Sequence, residues 1–427
     1  MDFRLKPGFL LGAASSATQV DGGELDHSWN DWYRQGRIKD GSDPARATDH
    51  YSKWREDTDL MAEMGLKVCR FGIEWARLCP EENRVDERAI QHYREEIIYM
   101  KELGMKPLLT IHHFTNPMWF EKKGGFAKIE NSRYFLMLVA LAVDAFGDLV
   151  SEYITINEPD VLATESYYFG HWPPGDTSFR RAVKVMNNLT VCHIKAYEMI
   201  HEKREAMGYD DTKVGYANHM RVFQARDPLN PLHQTSAWFG HRVFQGAFTK
   251  AMSIGKFIWP MRNIARVERG RYIDFIAINY YSRSTMTGLR DGVKKGAPKN
   301  DLGWEIYPEG IVTCAQEHYD VIGLPIWITE NGTCDHADAF RSRYIYDHLK
   351  AISKAALPFE RYYHWSFTDN FEWLEGESAR FGLVHVDYET QKRTVKDSGE
   401  FYAGIIKAHG VTAELYKKHV EEEKYHL

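Results

Sequence analysis

The feature that most restricts how this chain can fold is a set of eight short runs that are apolar at nearly every position. They are 9–14 (FLLGAA), 68–74 (VCRFGIE), 107–112 (PLLTIH), 153–157 (YITIN), 213–218 (KVGYAN), 274–280 (DFIAINY), 325–329 (PIWIT) and 361–366 (RYYHWS). A strand with one wet face alternates apolar and polar residues. A run without that alternation reads as a strand covered on both faces, as in a parallel sheet clothed by helices. Helical patterns fall between the runs. In 86–103, Asp86 is placed to be an N-cap, Ile90, Tyr93, Ile97 and Ile98 make one stripe, and Gly104 follows the end. The segments 132–146 and 179–206 read as helices too. Eight buried strands alternating with helices predict an α/β fold, a single (β/α)8 TIM barrel. No Gly/Ser linker and no repeat period divides the chain, so residues 1–427 are expected to form one domain. The length exceeds a generic prior of about 150 residues per domain, but such barrels reach about 400 residues or more with insertions. The stretches 20–46, 160–178 and 282–304 are expected as elaborated loops on one rim.

The totals exclude several function classes. The formal net charge is −6, so no basic field invites nucleic acid or anionic lipid. Five cysteines (Cys69, Cys79, Cys192, Cys314, Cys334) show neither a CxxC nor a metal-ligand spacing. They are expected as free thiols in a reducing compartment. The opening MDFRLKPGFLLG lacks a basic segment followed by a long apolar run, and no stretch of about 18 apolar residues occurs. A cytoplasmic location without membrane contact is therefore expected. Aromatic residues make up 14% of the chain. They serve either a large core or a ring-lined cleft suited to the flat apolar faces of sugars.

In an α/β barrel the active site lies at the C-terminal ends of the strands. A polar residue at the last step of a buried strand therefore points toward a pocket. Strand four ends in Asn157-Glu158-Pro159, and strand seven in Glu330-Asn331-Gly332. Strand three ends in His112-His113 and strand six in Asn279-Tyr280-Tyr281. Strand eight carries Trp365 and runs into TDNFEW with Glu372 and Trp373. Strand one leads to Gln19, and strand two carries Arg70 and Glu74. Paired carboxylates such as Glu158 and Glu330 are what retaining glycoside hydrolysis needs, at a separation of about 5–5.5 Å. Taken alone, Glu158 before proline would read equally well as an acid favoured in a helix's first turn. The matching Glu330 selects the chemical reading. Arg70 could equally form a plain buried pair with Glu74. Adjacent residues on a strand face opposite ways, so only one of His112 and His113 can enter the pocket. With no third ligand evident, neither metal nor cofactor is expected.

These motifs resemble glycoside hydrolase family one, the β-glucosidase family. The resemblance rests on TINEP, ITENG and HWSFTDNFEW…RFG, together with HHFTNP, INYYS and GWEIYPEG. It runs from Gln19 to RFGLVHVDY. It implies that Glu158 is the acid/base and Glu330 the nucleophile. It implies that Asn157 holds the sugar 2-hydroxyl and that Gln19, His113, Glu372 and Trp373 bind the other hydroxyls. Trp365 would be the platform under the sugar, and Arg70 and Tyr281 would hold the nucleophile with Asn279 beside them. Tyr168, Phe169 and Trp172, in the loop 167–179, are candidate aglycone contacts. The expected activity is exo-hydrolysis of unphosphorylated small-molecule or oligosaccharide β-glycosides, glucosides first, with galactosides and fucosides tolerated. Alternatives are a transglycosylase on the same site, a 6-phospho-β-glycosidase, or a non-catalytic sugar-binding protein.

Electrostatics should set the roles. The charge on Glu330 should raise Glu158, while Arg70 and Tyr281 keep Glu330 ionised. Glu372 is expected as an anion that repels a 6-phosphate. Phospho-sugar relatives usually carry Ser there with a downstream Lys and Tyr, which WLEGESARFG lacks. Phe114 stands where many relatives have Trp, and TNP replaces the commoner DLP, which should trim one wall near the sugar.

Overall fold

The structure is a computed structural model that describes residues 2–288 and 290–427. Eight strands close on themselves: β1 (Leu10–Ala14), β2 (Val68–Gly72), β3 (Lys106–His112), β4 (Glu152–Asn157), β5 (Lys213–Ala225), β6 (Ile276–Met286), β7 (Ile326–Asn331) and β8 (Phe359–Trp365). Each pairs in parallel with its sequence neighbour, and β8 pairs with β1. The surrounding helices include α1 (His50–Glu63), α2 (Glu87–Glu102), α3 (Ser132–Phe146), α4 (Phe179–Ala206), α5 (Ala247–Ile254), α6 (Glu309–Ile322), α7 (Arg341–Lys354) and α8 (Asp397–Ala408).

The absence of alternation in the runs has its cause in two separate apolar layers. Val68, Leu108, Ile154, Ala217 and Trp327 fill the lumen in one cluster. Cys69, Leu109, Tyr153, Tyr216 and Ile328 meet the helices in another. Below the lumen, Arg361 grips the fully buried Glu152 with both terminal nitrogens and lies 3.7 Å over the Trp327 ring. Lys106 Nζ lies 2.5 Å from Glu152 Oε1 as well, so the buried carboxylate is met by two cations, without which it would be strongly destabilising.

Local signals explain the element ends. The Asp86 side chain accepts from the N–H groups of Arg88 and Ala89, capping α2. Gly104, at φ +80°, closes it in the left-handed region that glycine adopts without strain. The buried face of α2 is Ala89, Tyr93, Glu96, Ile97 and Met100. Ile98, expected on that face, is exposed, while Glu96 is buried and lies 3.0 Å from His50 Nε2.

Strands five and six run further than the sequence indicated, to Ala225 and Met286. Their extensions pair with each other through Phe223–Ser284 and Ala225–Met286, so 282–286 is strand rather than loop. The stretch 20–46 contains a helix at Ser28–Arg34, and 160–178 begins as a helix at Pro159–Thr164.

Candidate active site

At the end of β4 the backbone answers why an apolar strand finishes in Asn-Glu-Pro. Pro159 opens a short helix at its first turn, where its missing N–H costs nothing. Glu158 occupies the cap position, yet its side chain makes no cap hydrogen bond. Its backbone sits at φ +39° and ψ 59°, a left-handed conformation costing a non-glycine residue on the order of 1–3 kcal/mol. Phe114 and Trp373, which line the same cavity, also have positive φ.

Pleat geometry alone would not deliver the side chains of this rim. On β4, Ile154 lies in the lumen, Thr155 bonds His193 of α4 at 2.8 Å, and Ile156 faces the helices. Strict alternation would then send Asn157 outward. A register shift against β5 between Ile154 and Asn157 brings it back inside. The same device acts on β7. Thr329 Oγ1 donates to Asn279 Oδ1 at 2.8 Å, and Glu330, the next residue, also points inward across a register shift.

Glu330 is held from both sides. Arg70 Nη1 donates to Oε1 at 2.5 Å and the Tyr281 hydroxyl donates to Oε2 at 2.6 Å. Arg70 is fully buried and spends its remaining donors on Asn157 Oδ1 (2.6 Å), Thr110 Oγ1 (3.1 Å) and the Thr329 carbonyl (3.2 Å). It makes no pair with Glu74. That carboxylate caps the turn at Trp75–Leu78 and accepts from Thr18 Oγ1 at 2.5 Å.

A guanidinium can only donate, so its bond to Asn157 fixes which atom of that amide is oxygen. Asn157 Nδ2 then donates to His113 Nε2 at 2.9 Å, leaving the proton on His113 Nδ1. That nitrogen is buried and finds no partner among the described residues. Gln19 Oε1 is in the same condition, while Gln19 Nε2 donates to the Phe371 carbonyl at 3.0 Å and to Glu372 Oε2 at 3.3 Å. One free donor and one free acceptor therefore await a ligand on one side of the pocket. His112 turns the other way, bonding Asn116 Oδ1 and packing against Phe126.

Glu158 has a partner that the sequence reading missed. Asn279 Nδ2 donates to its Oε1 at 2.9 Å, and His219 Nδ1 lies 3.0 Å from the same oxygen. His219 is on β5, in register with Asn279, which is itself in register with Glu330. The signal lies in the chain itself: His219 directly follows Asn218, where the strand-five run was expected to end. Arg221, two residues on, donates from Nη2 to His219 Nε2 at 3.0 Å and also reaches Ser284 Oγ and Asp291. A donor on Nε2 leaves the ring proton on Nδ1, facing Glu158.

The carboxyl balance departs from the expected one. Burial pushes Glu330 up to about 7, with the charge of Glu158 adding to it against Arg70 and Tyr281. For Glu158 burial also raises, but a cationic His219, the Asn279 bond and Arg70 outweigh it and hold the carboxyl below its ordinary value. Were His219 cationic, the order would thus be the reverse of the expected one. That pull, however, needs an imidazolium, and Arg221 occupies the nitrogen that would take the second proton. With the neutral ring that Arg221 enforces, the pull shrinks to one hydrogen bond. The direction then turns upward for Glu158, driven by burial and the charge on Glu330.

Glu372 departs likewise. Burial, with Glu330 and Glu158 beside it, pushes it up to about 8, so in the free site it holds a proton at neutral pH and is not the anion expected. Its neighbours Trp365 (Nε1 at 3.4 Å) and Gln19 do not offset that.

Trp365, His113 and Trp373 follow one another at ring separations of 5.8 Å. Phe114 packs edge-on against Trp172 (4.8 Å) and Trp373 (5.2 Å). The wall expected to be trimmed at Phe114 is thus backed by Trp172. Tyr168 and Phe169 are half exposed, and with Trp172 they line a cavity of about 940 Å³ that also holds Glu158 and Glu330. The five cysteines are unpaired. Among the described residues, no helix is long and apolar enough to cross a membrane.

Comparison with known proteins gives the family and the fold. The model of the family described as "Glycosyl hydrolase family 1" matches residues 1–411. The chain is 31% identical to Beta-glucosidase A of Thermotoga maritima, over 95% of this chain and 98% of that protein. The solved β-glycosidase from Pyrococcus horikoshii superposes with a TM-score of 0.87 at 33% identity, covering 98% of both chains. The T. maritima β-glucosidase in complex with glucoimidazole superposes with a TM-score of 0.87 at 30% identity, covering 96% of this chain and all of the other.

Proposed function

The chain belongs to glycosyl hydrolase family 1 and is a glycosidase, and from that premise we propose that it is a retaining exo-β-glycosidase acting first on unphosphorylated β-glucosides. The observation that carries the mechanism is the unequal treatment of two buried carboxylates. Glu330 is gripped on both oxygens by donors, one of them a guanidinium. The two donors to Glu158 both fall on Oε1, which leaves Oε2 to carry a transferable proton.

In the first step a Glu330 oxygen bonds to the anomeric carbon as the glycosidic C–O bond breaks. The Glu158 proton goes to the departing oxygen. Glu330 loses its negative charge in the ester, so Glu158 becomes easier to ionise and can serve as base. In the second step water attacks the same carbon, Glu158 takes its proton, and Glu330 leaves as carboxylate. Asn157 presents its second N–H to the sugar 2-hydroxyl, where a bond that tightens in the transition state speeds both steps. His113 Nδ1–H and Gln19 Oε1 take further hydroxyls. Trp365 lies under the ring, and Glu372 bridges the 4- and 6-hydroxyls with Trp373. Among the described residues that line the cavity, Lys39 is paired with Glu375 and Arg221 with His219 and Asp291. No free Lys or Arg is left there for a sugar phosphate. The T. maritima relative named with glucoimidazole supports a glucose-sized ligand in this pocket.

The test is a panel of nitrophenyl β-glycosides (glucose, galactose, fucose, glucose-6-phosphate) with wild type and Glu330→Ala. Glucoside turnover should vanish in the variant and return with azide as an α-glycosyl azide. Full activity in Glu330→Ala, or a preference for the 6-phosphate, would refute the reading.

A further inference from the structure

Glu74 takes no part in the chemistry above, yet it is only 3% exposed, and burial pushes it up to about 7. Burying a carboxyl is costly unless its oxygens are met. Capping the turn Trp75–Leu78 uses only Oε1, which accepts from the Ala76 N–H at 3.2 Å. A serine or aspartate would cap as well with a shorter side chain.

The second oxygen reaches further. Oε2 meets Thr18 Oγ1 at 2.5 Å, and that hydroxyl lies 2.5 Å from Thr115 Oγ1. Thr18 adjoins Gln19 in the short turn Ala17–Val20 beyond β1. Thr115 lies beyond β3, and its N–H donates to the His113 carbonyl at 2.8 Å around Phe114, whose φ is +68°. Glu74 itself follows β2, which pairs with β1 on one side and β3 on the other. One carboxyl thus joins the two segments that present Gln19 and His113. A second tie starts from the same residue. The Glu74 N–H donates to the Tyr93 hydroxyl at 3.2 Å, and Tyr93 donates to Asp21 Oδ2 at 2.7 Å. The turn carrying Gln19 is held through Thr18 and again through Asp21.

The hydroxyl chain holds in either state of Glu74. A carboxylate accepts from Thr18, which accepts from Thr115; a protonated carboxyl donates to Thr18, which donates to Thr115. Glu74, Thr18, Thr115 and His113 line a space of about 10 Å³, at most the room of one water. His113 also lines the large cavity, so its ring stands between the two, and what fills the space behind it limits its movement. In the reaction above, Asn157 faces the 2-hydroxyl and Glu372 the 4- and 6-hydroxyls. His113 bonds the first at 2.9 Å and Gln19 the second at 3.3 Å. The hydroxyl left between them is the 3-hydroxyl, with a free donor on His113 and a free acceptor on Gln19.

Resting on the glycosidase reading above, we propose that Glu74 is a positioning residue: by tying the segments after β1 and β3 together, it sets Gln19 and His113 around the sugar 3-hydroxyl and so selects for that hydroxyl.

The test compares kcat/KM for 4-nitrophenyl β-D-glucoside and its 3-deoxy analogue in wild type, Glu74→Ser, Thr18→Val and Glu74→Gln. The ratio of the two is independent of how much active protein is present. Glu74→Ser keeps the cap but cannot reach Thr18, and Thr18→Val breaks the chain without touching the cap. Each should cut the ratio about fivefold or more, the weight of a neutral hydrogen bond. Glu74→Gln can still accept from Ala76 and donate to Thr18, and should keep the ratio near wild type. Equal losses on both substrates in Glu74→Ser and Thr18→Val, with the ratio unmoved, would show a purely structural residue and overturn the proposal. A ratio cut as far by Glu74→Gln as by Glu74→Ser would also overturn it. Absence of turnover on both substrates by wild type would strike the glycosidase reading itself.

Discussion

Replacing His219 with phenylalanine removes the N–H that faces Glu158 while keeping a ring against Phe244 and Tyr281. In wild type Oε1 accepts two donors, at 3.0 Å from His219 and 2.9 Å from Asn279; in the variant it keeps one. A hydrogen bond to a charged group is worth about 1.5–3 kcal/mol, and one pKa unit is about 1.4 kcal/mol. The carboxylate form of Glu158 therefore loses the equivalent of about 1–2 units, and its pKa rises by that amount. The free enzyme needs Glu158 protonated, so the alkaline limb of the kcat/KM profile should move up by about 1–2 units. The assay is kcat/KM against pH with 4-nitrophenyl β-glucoside, repeated with the 2,4-dinitrophenyl glucoside, whose departure needs little protonation. Arg221 retains Ser284 and Asp291 as partners, so the variant strands no buried cation. His219→Gln, which restores an N–H, should return the limb toward wild type. An alkaline limb that stays put while rates fall evenly at all pH values would refute the positioning role. A rise of three units or more would refute the neutral ring, since only the loss of a facing cation gives that much.

Other consequences are equally measurable. Arg70→Met leaves Glu330 and Asn157 without their shared donor and should cost about 3–5 kcal/mol of stability; a loss under about 1 kcal/mol by urea melting would contradict the buried-pair account. Glu372 is pushed up to about 8 and accepts hydroxyls better as an anion, so a neutral glucose analogue should bind more tightly as pH climbs toward that value and level off above it. Glu372→Gln should bind with no such pH dependence. His50 lies between Asp57 (2.8 Å) and Glu96 (3.0 Å), and although burial opposes its charge, these carboxylates raise it well above 6.5. A raised histidine stabilises fully below its unfolded value and loses that contribution as pH rises through the folded one. The stability gap between wild type and His50→Gln should thus be widest below pH 6.5 and close at alkaline pH; a gap that widens with pH would show the opposite linkage.

The sequence alone was enough for the barrel, because a strand covered on both faces has to be apolar at every step, and that pattern is local. It also marked the residues at the strand tips, since a carboxylate or amide ending a buried run must meet either a pocket or a charged partner. Three things only the folded chain decided. Asn157 and Glu330 face the lumen because register shifts break the two-residue alternation, and a register shift is a property of two paired strands, invisible in either one. Glu158 stands opposite His219 rather than under the sole influence of Glu330 because β5 continues past Asn218, carried on by its pairing with β6. The far arm of the cavity arises where the helix Pro231–His241 packs over those two extended strands. Burial, which sets the protonation of Glu330 and Glu372, depends on what the rest of the chain places around a residue, and composition carries no record of that.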